Sequence, residues 1–112
     1  MDKNDFIYIE HILDSIEKIE KYTDSINVHG FVDNELVQDG VIRNFEIIGE
    51  ASKKFSNKFR EKYSNVPWKK ISGMRDILIH DYIGIDIWAV WDTIEKDLPN
   101  LKEYLLEILK DK

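Results

Sequence analysis

The chain has no cysteine, two prolines, five glycines and no long apolar run. Without cysteine there can be no disulfide framework and no thiolate metal site. Without about eighteen consecutive apolar residues there is no transmembrane helix. The opening stretch, MDKNDFIYIEHILDSIE, is acidic and amphipathic. It lacks the basic start and continuous apolar segment of a signal peptide, so a cytoplasmic protein is the expectation. No Gly-rich phosphate loop and no HExxH zinc motif occurs. His11, His29 and His80 fall in different segments and have no ligand spacing.

What is present fits one helical domain spanning residues 1–112. Apolar residues make up 43% of the chain, enough for a single core and too many for a disordered polymer. Phe6, Ile9, Leu13, Ile16 and Ile19 recur at three- and four-residue steps, with Ile12 widening the stripe, and predict a first helix. The pattern breaks from Asn27 to Gly30. Asp33 is then the expected N-cap of a second helix carrying Leu36, Val37, Val41, Phe45, Ile48 and Phe55. Gly40 and Gly49 sit inside that helix, where each costs up to about 1 kcal/mol relative to alanine. Close approach of a neighbouring helix would explain them. SNKFREKYSNVPW forms a short connecting turn or helix, and Pro67 suits the first turn of a third helix through Trp68, Ile71, Met74 and Leu78. Asp86 is the expected cap of a fourth helix containing Trp88, Trp91 and Ile94, and Pro99 is expected to open a last one with Leu101, Leu105 and Ile108. No convincing alternating strand occurs. The fold expected is all-α, an antiparallel four-helix bundle with an additional short helix. Trp88 and Trp91, three apart, are expected to anchor the core or a dimer seam, with at least one in the core.

The net charge of −6 conceals an asymmetry. From Lys53 to Arg75 there are eight basic residues (Lys53, Lys54, Lys58, Arg60, Lys62, Lys69, Lys70 and Arg75) and one acid, Glu61. This block is +7 and the remainder −13. It is either a face that meets phosphates or a solvated helix end and loop. Glu46 and Glu50, one helical turn apart, either face a cation or belong to a solvated or salt-bridged surface.

The stretch RDILIHDY, Arg75 to Tyr82, places charged and polar groups around an apolar triplet. Asp76 and His80 are four apart and share a helix face, where the carboxylate would orient the imidazole and favour its protonated form. Arg75 and His80 are five apart, roughly 140° around an ideal helix. Either the helix loosens near His80 or a site combines residues from two copies of the chain. Composition alone would also allow a helix end with a surface salt bridge and a core tyrosine.

RDILIHDY fits the pattern R-x4-H-x-Y, with Arg75, His80 and Tyr82 in the named places. It resembles the HEPN superfamily and, within it, the HepT-like toxins of toxin–antitoxin pairs. VIRNFEIIGEASKKF, VPWKKISGMRDILIHDY and IDIWAVWDTIEKDLPNL also resemble that family, in the same order, so the resemblance covers nearly the whole chain. It implies a HEPN-like helical ribonuclease of a type VII toxin–antitoxin system, working as a symmetric homodimer without metal or other cofactor. The ribose 2′-hydroxyl would be the internal nucleophile and a 2′,3′-cyclic phosphate the product. In that scheme Arg75 and His80 are catalytic: Arg75 holds the scissile phosphate and His80 moves protons. Asp76 would orient His80, a role taken from its spacing. Lys53, Lys54, Lys58, Lys69 and Lys70 would bind the RNA backbone independently of sequence. Tyr82 would be the place where a partner nucleotidyltransferase, an MntA-like antitoxin, attaches AMP and so blocks the site with charge. The rival reading is a nucleotide- or partner-binding bundle that works with a nucleotidyltransferase and cleaves nothing.

Overall fold

The apolar stripe of the first segment builds helix α1 (Lys3–Thr23), which buries Ile9, Ile12, Ile16 and Ile19. Asp2 caps it, its carboxylate accepting the Asn4 N–H at 2.7 Å. The fold is that of a computed structural model, which describes residues 1–79 and 86–111, the side chains of 76–79 excepted. The break expected after α1 contains a short helix, α2 (Val28–Val32), whose first turn is set by the Asn27 side chain accepting the Gly30 N–H at 2.9 Å. Phe31 is its buried residue.

Helix α3 (Glu35–Ser52) begins one residue later than the pattern implies. Its N-cap is Asn34, whose side-chain oxygen accepts the Val37 N–H at 3.1 Å. The expected cap, Asp33, instead ends α2: its own N–H bonds to His29 O and its backbone is helical, at φ −90° and ψ 0°. Asn34 is extended, as an N-cap must be. Ser56 then caps the short helix α4 (Asn57–Lys62), and α5 (Trp68–Ile79) starts directly after Pro67.

The last helix corrects a second expectation. Pro99 does not open a new helix; it lies inside a continuous α6 (Ile87–Lys110) capped by Asp86, whose carboxylate accepts the Trp88 and Ala89 N–H groups. Proline removes one i→i−4 bond and crowds the preceding turn. The cost is tolerable because Pro99 is exposed, as are its neighbours Glu95 and Lys96, leaving water to reach the freed carbonyl. Asn100 also donates its side-chain amide to Lys96 O at 3.1 Å. Meanwhile Val90, Ile94, Leu98, Leu101, Leu105 and Ile108 keep one buried stripe through the proline. The gain from that burial holds the two halves in one helix.

α3 lies between α1 and α5 and runs antiparallel to both. Near its start the Tyr22 ring of α1 covers Gly40, and beyond its end Tyr8 meets Phe55 at 6.1 Å between ring centroids. Asp5, a buried carboxylate on α1, accepts both the Ser56 N–H and its hydroxyl, at 3.0 and 2.9 Å. On the other side Ser52 lies against Ser72 and Gly49 against Arg75. Ser52 donates its single hydroxyl hydrogen to Gly49 O, so Ser72 is the donor in the 3.1 Å bond between the two hydroxyls.

The Gly49 position confirms close approach. A Cβ there would stand 2.7 Å from the Arg75 Cβ and 3.3 Å from the Arg75 backbone nitrogen. Of the two tryptophans, Trp91 packs on Phe31 with centroids 5.2 Å apart, whereas Trp88 remains 54% exposed beside His29. No helix among the described residues is long and apolar enough to cross a membrane.

Candidate active site

Arg75 enters the surface of the bundle through α5, opposite the C-terminal half of α3. Gly49 lets the two backbones close, and the next residue of α3, Glu50, reaches the guanidinium: Arg75 Nη1 and Glu50 Oε1 are 2.7 Å apart. Both side chains keep substantial contact with solvent, 38% and 48% exposed. A pair this open contributes about 0–1 kcal/mol to stability, so its main consequence is to restrict where the guanidinium points.

Around Arg75 lies a cavity of about 410 Å³. α1 supplies Tyr8 and His11, α3 supplies Arg43, Glu46, Ile47, Glu50 and Ala51, and the turn after α3 supplies Lys54. Glu46 sits 3.6 Å from Arg43 and Glu50 is held by Arg75. Between the two alternatives for this acidic pair, the salt-bridged surface is therefore the one found. Among the described residues no group of three or more histidine or carboxylate side chains converges as a metal site.

The basic block divides once it is folded. Lys54 lines the cavity with Arg75. Lys53 is exposed at the C-cap of α3, and Lys69 is exposed on the first turn of α5. Lys58 lines a different cavity of about 520 Å³, shared with Met1, Asp5, Lys62 and Tyr63. Lys70 is joined to Asp97 of α6 at 3.1 Å. Arg60 supports the fold by donating to Ser52 O and Lys53 O at 3.2 and 2.6 Å, which satisfies carbonyls that the end of α3 leaves open. The residues 53–75 thus enter several local arrangements.

Asp76 follows Arg75 in α5, but its side chain, together with His80 and Tyr82, lies outside the described residues. The groups that spacing did not single out are Tyr8, His11, Arg43 and the pairing of Glu50 with Arg75. Only Arg43–Glu46 had a readable signal, an i,i+3 charge pair on a helix. The others arise from packing of α1 and α5 against α3.

Residues 12–108 match the family model described as Ribonuclease HepT-like. Over 99% of its length the chain is 48% identical to a protein of Methanocaldococcus jannaschii named "Gamma-glutamylcyclotransferase and putative RNase", and it spans half the length of that relative. It is 44% identical to a "Putative RNase" of Caldanaerobacter subterraneus, with 92% of each chain covered. It is also 43% identical to a "Probable ribonuclease HepT" of Thermococcus cleftensis, over 85% of this chain and 86% of the relative. No solved structure matches the chain.

Proposed function

Because the chain belongs to the Ribonuclease HepT-like family, we propose that it is a metal-independent RNA endonuclease and the toxin of a toxin–antitoxin pair. The observation that carries this reading is the presentation of Arg75: a glycine-tight seam and a carboxylate fix a partly exposed guanidinium at the wall of a cavity.

In the proposed reaction the 2′-hydroxyl oxygen of a ribose attacks the adjoining phosphorus as it loses its proton. The bond to the 5′-oxygen of the next nucleotide breaks, that oxygen is protonated, and a 2′,3′-cyclic phosphate remains. His80 takes or supplies these protons, since an imidazole titrates near pH 6.5 when unperturbed. Asp76 orients that imidazole. Arg75 offers planar donors to the non-bridging oxygens, where charge grows in the transition state. Glu50 points the guanidinium and partly neutralises it while the site is empty, so an incoming phosphate competes with the carboxylate for the same donors. Two copies of the chain bring two such motifs together. That pairing would answer the five-residue spacing of Arg75 and His80 in the sequence.

Tyr82 is the proposed attachment point for AMP from a partner nucleotidyltransferase. Added phosphodiester charge at the motif would occupy the Arg75 donors and repel RNA. An unchanged intact mass after co-expression with that partner would remove this part of the reading.

The experiment is RNA cleavage in EDTA by wild type and His80→Ala, with analysis of the product ends. Cleavage that leaves a cyclic phosphate and falls about 10²–10⁴-fold in the variant supports the nuclease. Equal cleavage by both proteins removes His80 from the reaction, and none by unmodified wild type returns the chain to the binding-module reading.

A further inference from the structure

The α1 side of the Arg75 cavity has features that phosphate capture by Arg75 does not use. We propose that Tyr8, His11 and Lys54 form a nucleotide subsite, which holds the nucleotide adjoining the phosphate on Arg75. The inference deepens the nuclease reading and rests on it for the identity of the strand.

Three observations point to this subsite. First, both carboxylates of the cavity are engaged, Glu46 by Arg43 and Glu50 by Arg75, while Lys54 has no carboxylate partner among the described residues. The Lys54 ammonium instead stands 6.0 Å from the centroid of the Tyr8 ring. Second, Tyr8 is fixed by two edge-on contacts, with Phe55 at 6.1 Å and 84° and with His11 at 6.5 Å and 70°. A ring held in this way loses little freedom on stacking with a base. Third, the cavity's 410 Å³ falls within the range of small-ligand pockets, about 300–1,000 Å³.

An aromatic ring beside a lysine that has no carboxylate to neutralise it is the pairing by which single-stranded nucleic acids are held: the base stacks and the backbone phosphate meets the cation. His11 is exposed and contributes a ring nitrogen for the sugar or base edge. The same geometry would favour single-stranded RNA over a duplex, because a base must leave its stack to reach Tyr8.

The test is fluorescence-anisotropy titration of a labelled 2′-O-methyl oligonucleotide, which has no free 2′-hydroxyl and cannot be cut by the proposed route. Wild type is compared with Tyr8→Phe, Tyr8→Leu, Lys54→Gln and Lys21→Gln, the last at the far end of α1. Tyr8→Phe and Lys21→Gln should bind within about twofold of wild type, whereas Tyr8→Leu should bind about tenfold more weakly. Lys54→Gln should lower the slope of log K against log salt by about 0.7, the signature of one lost contact to a single strand. Lys54 is exposed, so this arm remains decisive if Tyr8→Leu does not fold.

Wild-type affinity in Tyr8→Leu, or an unchanged salt slope in Lys54→Gln, overturns the subsite. Tyr8-dependent binding of free AMP without binding of the oligonucleotide overturns its assignment to a strand. Because the probe is not cleaved, the result is independent of turnover. The subsite can fail while wild type still cuts RNA, and it can hold in a protein that cuts nothing.

Discussion

α5 is held by different chemistry at its start and at Arg75. At its start, Trp68 packs against Phe55 and Phe59 with centroids 5.1 and 5.6 Å apart, and its indole N–H donates to Tyr63 O at 3.0 Å. Phe55 and Phe59 stack at 4.5 Å. Two turns later, the contact between α5 and α3 runs through Gly49, two serine hydroxyls and an ion pair at Arg75. The aromatic end buries large area and contributes stability with little demand on exact orientation. The contact at Arg75 runs through a glycine, two hydroxyls and a partly exposed ion pair, and it fixes position. The first anchors the helix, and the second places a charge.

That contrast predicts separable effects. The largest is expected at the aromatic end: Phe59→Ala should cost about 3–5 kcal/mol of unfolding free energy in urea titration. Any protein that remains folded should retain the proposed RNA cleavage. A cost well below 1 kcal/mol would show that the cluster is not what anchors α5.

Gly49→Ala comes next, because its new Cβ would meet the Arg75 Cβ at 2.7 Å and one helix must move. Overpacking of this kind costs about 1–3 kcal/mol, and here it should also slow cleavage by displacing Arg75. Destabilisation with unchanged turnover of the folded protein would separate the seam from the site. The smallest effect has the opposite sign. Gly73, in α5 itself, has nothing among the described residues within 4 Å of an added Cβ, so Gly73→Ala should raise stability by up to about 1 kcal/mol. The difference between two glycines on facing helices is the sharpest check on the seam.

The helices were readable where a stripe was long and its polar face unambiguous. The isoleucines of α1 and the Asp86 cap of α6 are examples. Asp33 and Asn34 were not separable by pattern, since adjacent residues of similar capping ability are distinguished by backbone conformation alone. Pro99 misled because its local cost is visible in the sequence, while the buried stripe that outweighs it depends on which face the rest of the bundle covers. Gly49 signalled a close approach without naming the partner. The R-x4-H-x-Y motif drew attention to Arg75, but the surroundings of Arg75 were not legible. Tyr8, His11 and Lys54 join it only after α1 and α5 have packed on α3. Spacing rules describe one helix at a time, and this cavity is made by three elements.

The most direct test is the single-turnover RNA cleavage rate of Arg75→Ala, measured beside its thermal midpoint. Alanine keeps the Cβ that packs on Gly49 and removes the guanidinium, whose pair with Glu50 is too exposed to be worth more than about 1 kcal/mol. The expected result is a rate about 10²–10³-fold lower with a nearly unchanged midpoint. A wild-type rate, or a loss fully explained by unfolding, would contradict the claim that this seam exists to present Arg75 to a phosphate.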